Sequence, residues 1–378
     1  MRGRTPVPRR PGRRARPVRP LHAEVLEERQ LLATFTVLNA SDTGAGSLRQ
    51  AILSANASPG LDLINFNIAV AGGAPTIAVQ SALPPVTDAL MLDGTSQPGS
   101  NRVEINGATV TGADGLVLSV DPVNNRNASG SVIRGLAING FGGSGIVVAV
   151  NSTTIQGNSI GTDRTGTQRR ANGGSGIFVL GGVSNTIGGT TAAARNVIAG
   201  NAGPGISVVD SAASAARFNV IQGNFIGTNA AGNGALGNQG DGISLSGGGQ
   251  NLIGGTIPGA GNVIAGNGGN GIGLAVLITG TSPVVPIGNV IQGNLIGTDA
   301  LGLQPLGNFL AGIADRGGLG TVIGGADAGA LNRIAANGGG GISLSGGARS
   351  ARVQGNLIVG NAGFGVRIDA DATTITGN

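Results

Sequence analysis

NVIQGNFIGTNAAG, at 219–232, has a near copy at 289–302 (NVIQGNLIGTDALG), a looser one at 152–166 (STTIQGNSIGTDRTG) and a short relative at 352–361 (RVQGNLIVGN). A chain that repeats itself must be read as repeats first. Asn158, Asn224 and Asn294 hold the same place in three of these copies. The long interval between them is more than one solenoid turn can hold. Shorter echoes fill each interval: GSGIFVLGG, NTIGG, NVIAGN and PGISV, then DGISLSGG, NLIGG, NVIAGN and NGIGL. Ile177, Ile198, Ile221, Ile243 and Ile264 follow one another at nearly equal steps. These steps predict coils of about 22 residues, three to each long interval.

Each step holds short aliphatic runs bounded by Gly, Asn, Ser or Thr. β-Branched residues in such runs read as strands, and the glycines and asparagines as tight corners. Glycine supplies positive φ there, and asparagine tolerates the left-handed region while bonding local backbone. The fold class predicted is all-β: a single-stranded parallel β-helix in which like residues stack at about 4.8 Å. Ile198 is expected over Ile221 in the core. Asn201, Asn224, Asn267, Asn294 and Asn356 are expected as a structural corner ladder. A propeller would need longer blades and brings aromatic residues; Trp and Tyr are absent here. No LxxLxLxxN pattern supports a leucine-rich horseshoe.

Glycine makes up 74 of 378 residues without collagen's every-third regularity. Charged residues are 11% of the chain and the mean hydropathy is positive, which argues against a disordered polar chain. All 23 basic residues are arginine, and eight fall in 1–20, a stretch without an acid. The body therefore carries 15 Arg against 18 Asp and Glu, and the basic excess belongs to a proline-rich arm without aromatic platforms. Nucleic acid is not an expected partner. No cysteine is present, so neither a disulfide framework nor a thiolate metal site arises. No apolar run is long enough for a membrane span or an ordinary signal peptide.

In chain order, 1–33 reads as an Arg/Pro-rich disordered leader, 34–101 as a cap with the first irregular coils, and 102–378 as the β-helix repeats. SLRQAILSAN at 47–56 places Leu48, Ala51, Ile52 and Ala55 on one helical face, with Ser47 as N-cap. That helix suits the open end of a β-helix, where uncovered strand edges invite association. Residues 35–38, 64–68, 77–79, 90–92 and 103–105 read as early strands. Stretches 121–129, 211–216 and 279–286 read as insertions at one corner, and insertions on one solenoid face often mark the binding face. The C-terminal end reads as uncapped, which points to a following domain or to self-association there.

VLEERQLLA resembles the LEPR-xLL type of N-terminal motif of large exported planctomycete proteins, with Glu28 where that family commonly has Pro or Asp. Residues 35–68 resemble the opening of bacterial cell-surface β-helix proteins through Asp42, Gly44, Gly46, the run 47–52, Ala55, Asn56, Gly60, Asp62, Ile64 and Phe66. From about 105 onward the NVIxGNxIGT and GISLSGG repeats resemble right-handed parallel β-helix repeats of the pectin-lyase-like superfamily. This resemblance implies a right-handed coil, an extracellular or cell-surface location, and a cell-wall or extracellular polysaccharide as partner. It also implies two kinds of chemistry. Lyases need Asp or Glu to hold Ca²⁺ against an acidic sugar and an Arg or Lys as base; hydrolases need two carboxylates across the scissile bond.

The acids are sparse. Asp163 and Asp299 recur in the IGT segments with Asn229 between them, and these, like Asp241 and Asp315, read as turn residues closing corners. Asp62, Asp88 and Asp93 read as turn-fixing residues of the cap, and His22 lies in the leader. The compact acid–base group on a predicted coil is Asp369 and Asp371 with Arg367, in RIDADATT. No metal site is expected, and Ca²⁺ would enter with lyase chemistry alone. GNxIGT and GGxG lack the GK[ST] and helix of a phosphate loop. The expected function is a non-enzymatic exported β-helix module, structural, adhesive or glycan-binding. The alternative is a polysaccharide lyase or glycoside hydrolase with Asp369, Asp371 and Arg367 as its catalytic group.

Overall fold

The computed structural model describes residues 32–378 apart from 71, 72, 101, 280 and 281, together with Gly3. The arginine-rich leader, His22 and most of the LEERQLLA stretch lie outside the described residues. Runs such as VIQ, GIS and NLI put one side chain in two toward a common interior, because strand residues alternate between faces. Among the described residues the strands build three long parallel sheets of 12, 10 and 9 strands. The chain visits the first, second and third sheets in turn and then climbs one coil, which makes a right-handed parallel β-helix. Stacked isoleucines fill the interior: Ile155, Ile187, Ile221 and Ile253 on the first sheet, and Ile160, Ile198, Ile226 and Ile264 on the second. These side chains are at most 1% exposed, and each buried aliphatic contributes about 1.5–3 kcal/mol.

The registers correct the coil length. Ile155 pairs with Ile187, Ile187 with Ile221 and Ile221 with Ile253, so one first-sheet strand lies well beyond the expected step from the next. The asparagines beside these strands, bonded from coil to coil, are separated by 34 in sequence from Asn185 to Asn219 and by 32 from Asn219 to Asn251. A bare coil of the expected length does occur, from Ile133 to Ile155 and from Val353 to Ile375. Elsewhere insertions lengthen it. Ile177 lies on the third sheet, Ile198 on the second and Ile221 on the first, so the step read from the sequence crosses from sheet to sheet. Ile198 stacks between Ile160 and Ile226, not over Ile221. Two long coils, not three short ones, make each long interval.

Asparagines run up all three corners. Between the first and second sheets, Asn224 Nδ2 donates to Asn262 Oδ1, Asn262 to Asn294 and Asn294 to Asn332, each at 3.0 Å, and the ladder goes on through Asn356. Between the second and third sheets, Asn201 donates to Asn238, and Asn267 to Asn308. Asn201 and Asn224 therefore stand on different ladders. A third ladder links Asn185, Asn219, Asn251 and Asn289. Where the chain leaves the second sheet, Gly227 has φ +84°, and a Cβ there would collide with the Ala265 carbonyl.

The N-terminal end is closed by the helix Leu48–Ala57. Its N-cap Ser47 accepts the Gln50 N–H at 3.2 Å, and Leu48, Ala51, Ile52 and Ala55 are its buried residues. Strands Thr34–Val37, Asp62–Phe66, Thr76–Ala78, Leu90–Asp93 and Val103–Asn106 follow close to the expected places. Insertions 121–129, 211–216 and 279–286 all leave the corner between the third and first sheets. The first and last of them carry antiparallel hairpins.

Candidate active site

The last residues of three successive first-sheet strands form one outward row. Asp93 pairs in register with Arg134, and Arg134 with Gln156. Adjacent rungs lie about 4.8 Å apart, so an acid, a guanidinium and an amide meet although they are far apart in sequence. Arg134 Nη2 donates to Asp93 Oδ2 at 2.6 Å, and Asp93 Oδ1 accepts the Thr95 N–H at 3.0 Å. Burial pulls the Asp93 carboxyl upward, but the bonds from Arg134 and Thr95 outweigh it, and it sits below its ordinary value. Its hydrogen bond in turn holds the Arg134 guanidinium above its own ordinary value, against burial. Arg134 stays charged.

Arg102 enters from the residue before strand Val103–Asn106. It donates to the Ser159 hydroxyl, to the Arg164 carbonyl at 3.1 Å and to the Gly157 carbonyl at 3.1 Å. It makes no ion pair among the described residues, and burial pushes its guanidinium below the ordinary value, opposed by Asp163. A cavity of about 380 Å³ lies between these groups, lined by Thr95, Arg102, Arg134, Gln156, Gly157 and Thr191 among others. Arg102 also lines a second cavity of about 310 Å³ beside Ser100, Arg164 and Thr165. The larger cavity has two guanidiniums and no carboxylate in its lining. Its polar edges suit a planar anion, since the guanidinium fork matches carboxylate geometry.

Glu104 stands on the neighbouring strand and is fully engaged. It accepts from Arg170 at 3.2 Å, Asn139 at 3.0 Å and Thr76 at 3.2 Å. Among the described residues no three His, Asp or Glu side chains converge on a point that would hold a metal. The cavity's cationic lining does not fit Ca²⁺ either.

Asp369, Asp371 and Arg367 are exposed at the C-terminal coils. Arg367 lies in strand Val366–Ile368, and the two acids follow it, held by their backbone N–H groups to Leu344 and Ala348. They line neither arginine cavity. Asp163 and Asp299 close hairpins: Asp163 Oδ1 accepts from the N–H of Thr167 and Gln168, and Asp299 Oδ1 from Leu303 and Gln304. Asn229 does the same toward Asn233. Asp241 reaches to the next coil, accepting from Asn270 N and Nδ2. Asp315 closes its corner from inside, its Oδ1 accepting the Gly318 N–H at 2.7 Å. It points into the core in the row of Leu274 and Leu344.

The arginine site was not legible from local motifs. Asp93 and Arg134 lie far apart in sequence, separated by the hairpin of 121–129, and their pairing depends on the coil register. The useful signal is the polar residue that ends each of LMLD, VIR and TIQ.

No family model matches the sequence, and none of the curated proteins does. Among solved structures, the chain is similar to the A-module of a mannuronan C-5 epimerase of Azotobacter vinelandii at 14% identity, covering 90% of this chain and 96% of that one with a TM-score of 0.40. A second A-module of the same kind from that organism gives 15%, 90%, 98% and 0.43. A pectate lyase gives 13%, 86%, 80% and 0.36. These likenesses are of fold. With the registers above, the chain has a right-handed parallel β-helix fold.

The expectation of a non-enzymatic structural or adhesive module is overturned here, and with it the expectation that the chain is not an enzyme. The solved structures it matches over most of its length include epimerases and a lyase.

Proposed function

We propose that the chain is an exported enzyme acting on uronate-containing polysaccharides by proton abstraction next to the sugar carboxylate. The observation that carries this reading is the cavity lined by Arg102 and Arg134 without a carboxylate. Hydrolysis needs two carboxylates flanking the bond, and this lining offers none. A uronate carboxylate between two guanidiniums would lose its repulsion toward a developing carbanion, because preorganised positive charge stabilises the enolate-like transition state.

The two arginines divide the work through their opposed environments. Arg134, kept charged by Asp93, neutralises the carboxylate. Arg102, pushed downward by burial, is the lining group best placed to take the proton from the carbon α to that carboxylate. The electron pair left behind then either expels the glycosidic oxygen on the next carbon, breaking the C–O bond and leaving a C=C bond while solvent water protonates the departing oxygen, or recaptures a proton from solvent water on the opposite face. The first outcome is a lyase and the second an epimerase. Gln156 and Thr191 supply hydrogen bonds to ring hydroxyls.

The test is incubation of the purified protein with a polyuronate and with a neutral glucan. Ultraviolet absorbance of unsaturated ends, reducing ends and the epimer ratio by NMR are followed together. Unsaturated ends or a changed epimer ratio from the polyuronate alone, lost in Arg134→Gln, supports the reading. Reducing ends without unsaturation would replace it with hydrolysis.

A further inference from the structure

The second sheet's outward row forms the floor of a trough. Ser159, Val197, Phe225, Val263, Leu295 and Arg333 follow one another in register up the coils. Two walls flank it. One is a stack of hairpins closed by the bridges Thr162↔Arg169, Thr228↔Ala235 and Thr298↔Pro305. They are joined to each other by Ala230 N–H to Gly166 O at 2.9 Å and Ala300 N–H to Gly232 O at 2.8 Å. The other wall comes from insertions at the corner between the first and second sheets, including the 3-10 turns Ala192–Ala194 and Ala328–Ala330. The insertions alternate coil by coil between the two corners and close over much of the floor, burying Ser159, Val197, Phe225 and Val263, so the trough opens only where the cavities lie between them.

Half way up, a cavity of about 440 Å³ opens between the walls, lined by Arg195, Phe225, Ala230, Val263, Leu295 and Ala300 among others. The Arg195 guanidinium carbon sits 4.1 Å from the centroid of the Phe225 ring, a cation–π contact that fixes the plane of the fork. Its Nε donates to the Gly223 carbonyl at 3.3 Å. Its two terminal nitrogens have no hydrogen-bond partner and no carboxylate among the described residues. Higher still, Arg333 lines a cavity of about 270 Å³ with Leu303, Pro305 and Val359, and its Nε is buried without a partner. From Ser159 to Arg333 is five rungs, roughly 24 Å at the strand spacing.

We propose that Arg195 on Phe225, with Arg333 beyond it, forms a second anion-binding subsite, and that the trough holds one polyuronate chain running from the Arg102–Arg134 cavity along the helix axis. The guanidinium edges take sugar carboxylates, and Val263 and Leu295 take the apolar ring faces between them. This rests on the uronate reading for the choice of polymer. Linked contacts on one chain raise affinity for long ligands without affecting short ones.

The experiment measures dissociation constants of a uronate disaccharide and of a long polyuronate for the full chain, with Arg195→Gln, Arg333→Gln, the double variant, and Arg349→Gln as an exposed control off the trough. Thermal unfolding of each variant checks that the coil is intact. The double variant should lose about tenfold or more in polymer affinity, while disaccharide affinity changes less than about twofold. Arg349→Gln should match the parent on both. Polymer affinity unmoved in the double variant overturns the subsite and leaves the first cavity standing. Equal losses on both lengths overturn it too. Parent protein that binds neither length overturns the uronate reading and the subsite together.

Discussion

Asp93 and Arg134 face one another from adjacent rungs of the first sheet, with a charge-assisted hydrogen bond of 2.6 Å between Arg134 Nη2 and Asp93 Oδ2. The pair sets the charge of the cavity. Arg134 cannot turn away or lose its proton while Asp93 holds it, so the site keeps a fixed cation where a sugar carboxylate would arrive.

Asp93→Asn should reduce kcat/KM on polyuronate by about 10-fold to 100-fold, by leaving Arg134 free to move rather than by removing a group that touches substrate. The stability effect has a defined sign. The Asp93 carboxyl is depressed in the fold, so its contribution is present above the unfolded value and lost as pH falls through the folded value. Thermal unfolding should show Asp93→Asn about 1 kcal/mol less stable than the parent at pH 7, the pair being partly exposed on the arginine side. The gap should close in acid.

Arg102 predicts an alkaline rate profile. Its guanidinium is pushed down by burial, and as a base it works only when deprotonated, so kcat/KM should climb as pH rises into the alkaline range. Arg102→Lys should lower the rate and move that climb to lower pH, because lysine titrates below arginine. A flat alkaline profile in the parent would remove Arg102 from the proton transfer.

The ladders predict where the coil is most sensitive. Asn262 Oδ1 accepts both Asn224 N–H and Nδ2, and its own N–H and Nδ2 reach Asn294. Asn262→Ala leaves the buried Asn224 N–H without its acceptor and removes the Nδ2 bonds to the Ile221 carbonyl and Asn294, and should cost about 2–4 kcal/mol in denaturant unfolding. Asn233→Ala, at an exposed hairpin turn, should stay within about 0.5 kcal/mol of the parent.

Asp315 predicts a pH effect of opposite sign to Asp93. Burial pushes its carboxyl up, against the bond from the Gly318 N–H. The native state then binds more protons than the unfolded chain between the ordinary and the raised value, and stability falls as pH rises through that window. Asp315→Asn keeps an oxygen for the Gly318 N–H, 2.7 Å away, and removes the titration. Its stability relative to the parent should rise across the window and then level off. A constant difference at all pH values would contradict the assignment.

Much of the fold was legible because isoleucine alternation and glycine-asparagine corners are written into every coil. The cap helix was legible almost to its ends from Leu48, Ala51, Ile52 and Ala55. The coil length was not, because the chain uses one phrase at two corners. NVIQGN begins at Asn219 between the third and first sheets, whereas NVIAGN begins at Asn196 between the first and second. Counting from one to the other gives a period that stacks nothing. Asp93 reads as a turn-fixing residue, and it does cap the 3-10 turn Gly94–Ser96; its meeting with Arg134 appears only once the register is known. The insertions readable between the third and first sheets do not build the trough, whose walls come from segments that look like repeat text at the other two corners.

Chemistry on uronate chains is assigned to the Arg102–Arg134 cavity. The most direct test is the rate of formation of unsaturated ends or of inverted uronate residues from a polyuronate, for the parent and for Arg134→Gln side by side. The parent should form product and the variant should do so at a rate at least about 100-fold lower, with its thermal unfolding close to the parent's. Equal rates from the two proteins, or no product from the parent while the folded protein binds polyuronate, would contradict it.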